Sequence, residues 1–99
     1  MTAPKPLPRH VITASRLEDG AVTYLGPDRT WVPDLASALL FEAPTDRDAA
    51  LAWAKSDEAR VCNAYAFDAL LQPDGTLVLS ARERFRRDGA AAARARLGY

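Results

Sequence analysis

The stretch that most constrains this chain is residues 10–34, HVITASRLEDGAVTYLGPDRTWVPD. Residues 11–16 are β-branched and partly alternating. An extended backbone sends Val11, Thr13 and Ser15 to one face and Ile12, Ala14 and Arg16 to the other. Residues 21–25 repeat the habit, with Val22 and Tyr24 opposite Thr23 and Leu25. Between them, Glu18-Asp19-Gly20 offers a bulged hairpin turn, because Gly20 takes positive φ with no Cβ clash. Gly26-Pro27-Asp28-Arg29 is a second turn: Pro27 presets φ at the first central position and Asp28 tolerates the next. Thr30-Trp31-Val32 is a short third strand, and Pro33 ends it, since proline has no amide hydrogen for a ladder. The stretch therefore predicts two or three short antiparallel strands. Its large side chains, Tyr24 and Trp31, either pack a sheet face against a helix or present an aromatic surface to a partner.

Further along, residues 34–42 are ambiguous between a helical turn capped by Asp34 and a buried strand; a turn followed by a short strand is the preferred reading. A helix over residues 46–58 follows, with Thr45 and Asp48 in a box-like capping pattern and Asp46 and Asp48 at the positive end of its dipole. Trp53 anchors its apolar stripe, and Lys55, Asp57, Glu58 and Arg60 read as its solvated end. Residues 64–71 form a strand with Tyr65, Phe67 and Ala69 on one face. Gln72-Pro73-Asp74-Gly75 turns it back into residues 76–79, completing a hairpin. Ser80 and Glu83 then make a capping box for a helix over residues 81–88, which Phe85 docks and Gly89 stops. The expectation is an α+β fold: a small antiparallel sheet of short hairpins packed by one main helix, with a second short C-terminal helix. One domain spans residues 10–89. Residues 1–9 form a flexible Pro-rich lead-in and residues 90–99 an Ala/Arg-rich tail.

Chemistry is scarce. The chain carries one histidine and one cysteine. A lone thiol excludes an internal disulfide and a self-contained cysteine-ligated zinc or iron–sulfur site, and suits a reducing, cytoplasmic setting. No apolar run approaches the ~20 residues of a membrane span, and the proline-rich start lacks the apolar core of a secretory signal. His10 reads as a solvated residue at a strand start, and Cys62 as a small core residue rather than a reactive thiol. No phosphate-binding, dinucleotide, zinc-hydrolase or CxxC motif is present. No catalytic, cofactor-binding or metal-ligating residue is therefore assigned, no cofactor is expected, and an enzyme is disfavoured.

The informative polar feature is charge asymmetry. Net charge is zero, with 13 basic and 13 acidic residues, yet six arginines lie beyond Ser80 against only Glu83 and Asp88. Such an asymmetry suggests an interaction segment. Arg82, Arg84, Arg86 and Arg87, with Trp31 and Tyr24, are the candidate partner-binding residues, because guanidinium binds carboxylate and phosphate in a bidentate fork. A solvated helix face is the alternative for the arginines. Nucleic acid is the less attractive ligand for a neutral domain.

Several stretches together resemble one bacterial family. Val11-Ile12-Thr13-Ala14-Ser15-Arg16-Leu17 with Asp19-Gly20, Val22, Tyr24-Leu25 and Trp31 is the first. Asn63-Ala64-Tyr65-Ala66-Phe67-Asp68 is the second, and Leu79-Ser80-Ala81-Arg82-Glu83-Arg84-Phe85-Arg86, ending at Gly89, is the third. Together they are similar to a small domain-of-unknown-function family encoded beside assimilatory sulfite reductase genes. The similarity covers residues 10–89. Ala90 departs from it, since the family is expected to place proline there. The resemblance implies a small accessory protein linked to assimilatory sulfite reduction, binding the sulfite reductase haemoprotein or its electron donor, and it carries over no catalytic residue. The alternatives are a small-molecule or anion-binding protein and, third, RNA binding through the basic C-terminal segment.

Overall fold

A computed structural model describes residues 5–96, with side chains described through residue 89. Strand β1 is Leu7–Arg16, β2 Val22–Leu25, β3 Trp31–Val32, β4 Val61–Leu71 and β5 Leu77–Val78; helix α1 is Pro44–Ser56 and α2 Ala81–Arg96. The strands form one antiparallel sheet in the order β3-β2-β1-β4-β5. This is the expected α+β fold, with α1 on one sheet face and α2 on the other. No described helix is long and apolar enough to cross a membrane.

The turns close as their residues dictate. Gly20 sits at φ +71° between β1 and β2, and Gly75 at φ +90° between β4 and β5. In the second of these turns both the amide and the hydroxyl of Thr76 donate to the Asp74 carboxylate. Those bonds stabilise the charged form and lower its pKa, the hydroxyl most. After β2, Asp28 and Arg29 both take left-handed φ of 57°; asparagine-like tolerance explains Asp28, and the strain at Arg29 is new.

Alternation along β1 and β4 builds two apolar layers. Towards α1, Ile12 and Leu25 meet Ala54, with Trp31, Phe41 and Trp53 packed around them. On the opposite face Val11, Tyr24, Phe67, Ala69 and Leu79 form a second cluster, closed by Leu35, Ala38 and Leu40. Residues 35–42 are a turn followed by a strand-like pairing, as preferred: a 3-10 turn at Leu35–Ser37 precedes a single bridge between Phe41 and His10.

Several local expectations are corrected. β1 starts at Leu7, inside the segment expected to be a flexible lead-in, and pairs Leu7 with Leu71 and Pro8 with Leu70. Proline is tolerated there because alternate residues of β1, including His10, turn their amides away from β4. Of the rest of that lead-in, residues 1–4 lie outside the described residues, as does the tail from residue 97. Helix α1 begins at Pro44, with Ala43 as an N-cap that makes no side-chain bond; proline preset at the first helical position supplants the expected Thr45–Asp48 box. Helix α2 continues through Gly89 to Arg96. Glycine costs about 1 kcal/mol in a helix, and the four alanines that follow are the best helix formers, so the stop is overridden.

Candidate functional site

The sequence-predicted site residues divide between three places. Tyr24 is 3% exposed and belongs to the core. Trp31 stacks on Trp53 of α1 with ring centroids 6.2 Å apart. Its indole Nε1–H donates to Asp57 Oδ2 at 2.9 Å, and Arg60 Nε donates to the same oxygen at 2.7 Å. Asp57, expected as part of a solvated helix end, instead ties α1 to β3 and to the start of β4. The guanidinium groups of Arg29 and Arg60 lie 5.2 and 5.8 Å from the Trp53 ring centroid, within cation–π range.

The arginines of α2 lie around the Tyr65 ring. Arg82 and Arg86, one helical turn apart, each sit 5.4 Å from its centroid. The Tyr65 hydroxyl donates to Glu83 Oε1 at 2.5 Å. Glu83 is only 5% exposed, so this bond satisfies a carboxylate largely removed from water. Arg86 then reaches across the sheet face: it donates to Thr13 Oγ1 at 2.5 Å and to the Ala14 carbonyl at 3.1 Å. Thr13 is fully buried, and its hydroxyl donates to the Thr23 carbonyl at 2.8 Å. Tyr65, Glu83, Arg86 and Thr13 thus form a polar clamp that fixes α2 on the sheet. The Ser80 half of the capping box forms, with its hydroxyl accepting from the Glu83 amide at 3.4 Å. The Glu83 side chain turns to Tyr65 rather than back to Ser80, because the phenol is a short-range donor in a drier place.

Helix geometry then places the remaining residues. With Glu83 and Arg86 inward, Phe85 must point away, and it is 73% exposed rather than docked. Arg84 shares that outer face, is exposed, and has no ion-pair partner among the described residues. Arg87 pairs with Asp88 at 3.0 Å and borders an open groove of about 580 Å³ between residues 34–40 and the β4–β5 turn.

The other polar candidates also move. His10 is not solvated: its side chain is 16% exposed and Nδ1 lies 2.7 Å from Asp68 Oδ1. Cys62, expected in the core, is exposed. It precedes a bulge where the β1–β4 register shifts, at which Asn63 takes φ 55°. Among the described residues no group of three or more His, Cys, Asp or Glu could hold a metal.

Burial, and next the hydrogen bond to Glu83, raise the Tyr65 pKa above 10.0, while the charges of Arg86 and Arg82 oppose the rise. A raised folded-state pKa means stability is fully present below the ordinary tyrosine value and is lost as pH climbs through the folded one. Stability should therefore fall above pH ~10, and Tyr65→Phe should flatten that alkaline limb. Denaturant titrations at successive pH values check this; an identical alkaline slope in the variant would disprove it.

A family model described as a protein of unknown function (DUF2849) matches residues 10–95. No curated protein and no solved structure matches the chain.

Proposed function

The chain belongs to the DUF2849 family, and from the outer face of α2 we propose that it is a non-enzymatic accessory protein that works by docking an acidic protein surface. The observation that carries this reading is Phe85, a large apolar side chain 73% exposed beside Arg84, which has no ion-pair partner among the described residues, with Arg82 at the margin. An aromatic flanked by arginine is the residue chemistry of interface hot spots, and the polar clamp beneath holds it on a fixed scaffold, which lowers the ordering cost of binding. The link to assimilatory sulfite reduction, with the sulfite reductase haemoprotein or its electron donor as partner, rests on the family resemblance alone. Anion or small-molecule binding in the open groove is less supported, because the arginine bordering it, Arg87, already pairs with Asp88.

The test is a titration of purified sulfite reductase haemoprotein against the chain and against the double variant Arg84→Glu, Phe85→Ser. Loss of a hot-spot aromatic and reversal of a neighbouring charge should weaken binding at least about 30-fold, or 2 kcal/mol. Thermal stability should be unchanged, because both side chains face solvent. Absence of binding by the wild-type chain would remove the haemoprotein as partner; binding that survives the double substitution would remove the surface.

A further inference from the structure

The sheet is asymmetric at its edges. β4 pairs with β1 along nearly its whole length, but its outer side meets β5 only at Leu70 and Leu71. In β1, the amide and carbonyl of His10 bond Phe41 on the side away from β4. The alternation of an antiparallel ladder then directs Val11 towards its partner Phe67. Phe67 and Tyr65 in turn direct their backbone groups inward, so those of Ala66 and Asp68 point outward. No described backbone or side-chain group bonds them. An uncovered row of this kind is a template for another strand.

We propose that a second copy of this chain occupies that edge, pairing β4 with β4 antiparallel about a two-fold axis at Ala66 and joining two five-stranded sheets into one. The register is self-complementary. Ala66 exchanges both backbone bonds with its own symmetry mate, and Asp68 of each copy falls opposite Ala64 of the other. Small side chains at Ala64 and Ala66 let the strands approach. The bulge at Asn63 turns β4 aside before it would meet the second copy's β5.

Charge fits the same register. Lys55 of α1 lines a cavity with Glu58, Cys62, Asn63 and Ala64, and neither Glu58 nor any other carboxylate lies at ion-pair distance from it among the described residues. The second copy's Asp68, 82% exposed in the single chain, projects on this same α1 side of the sheet, since it pairs there with His10. Each interface therefore gains two Lys55–Asp68 pairs, and no like charges are opposed along the strand.

Light scattering across a dilution series tests the pairing. The wild-type chain should approach twice its 10.8 kDa mass at high concentration and return to one chain on dilution. Ala66→Pro removes an outward amide and no hydrogen bond of the β1–β4 ladder, so it should leave the fold intact and abolish the dimer. Should that variant fail to fold, Lys55→Glu provides the second arm. It should raise the dissociation constant about tenfold, and combining it with Asp68→Lys should restore the original value. A wild-type chain that is monomeric at every concentration overturns the proposal. So does a dimer indifferent to Ala66→Pro, or one that Lys55→Glu leaves unchanged.

Discussion

Trp53→Ala should lower the free energy of unfolding by about 3 kcal/mol, a large loss for a single side chain on the α1 face. A domain of this length is held by roughly 5–15 kcal/mol, so the variant would sit near its folding threshold. The indole joins three things at once. It packs against the cluster of Ile12, Leu25 and Ala54. Its ring stacks on Trp31. It also carries the guanidinium groups of Arg29 and Arg60, each worth about 0.5–1 kcal/mol at such partly wetted positions. Removing it leaves a void on a short helix that cannot collapse far, because Asp57 holds its end to Trp31 and Arg60. Trp31→Phe is the graded comparison. It keeps most of the stack and deletes the indole N–H bond to Asp57, for about 1–2 kcal/mol. Urea titration of both variants by far-ultraviolet circular dichroism reads the two costs. If Trp53→Ala cost less than Trp31→Phe, the stack would not be what holds α1 to the sheet.

What sequence could show and what it could not follows one physical line. Local conformational demands were legible. Gly20 and Gly75 take the positive φ their turns require, and Tyr65, Phe67 and Ala69 share a face because side-chain direction in a strand repeats every two residues. Partners distant in sequence were not. Glu83 carries an obvious local partner in Ser80, yet its side chain goes to Tyr65, 18 positions away, and nothing in either neighbourhood marks the pair. Asp57 looked solvated for the same reason, its donor Trp31 lying 26 positions back. Phe85 looked like the docking residue of its helix because it is the large apolar side chain there. The contest was decided by polar groups, since Arg86 finds Thr13 and Ala14 and thereby fixes the helix rotation. Of the arginines singled out, Arg86 faces inward and Arg84 outward, a split that spacing permits but does not specify.

That rotation gives the second large effect. Arg86→Met should destabilise the chain by about 2–3 kcal/mol, the range for hydrogen bonds made by a charged group, and should do so by releasing α2 rather than loosening the sheet. Methionine keeps much of the aliphatic stem and removes the fork that bonds Thr13 Oγ1 and the Ala14 carbonyl. It also leaves the buried Glu83 carboxylate with less positive charge nearby, so Tyr65→Phe, which removes its hydroxyl donor, should couple to it. The two substitutions share the carboxylate, and a double-mutant cycle should show an interaction energy of at least about 0.5 kcal/mol. Hydrogen exchange locates the effect. Amides of residues 84–88 should lose protection in Arg86→Met while those of β1 and β4, held by the longest ladder in the sheet, keep theirs. Equal loss in sheet and helix would mean that α2 is integral to the core and the clamp incidental. Selective loss would make the clamp the element that presents Arg84 and Phe85. Arg86→Met, which touches neither of those side chains' exposed atoms, should then weaken partner binding by raising the ordering cost of the helix.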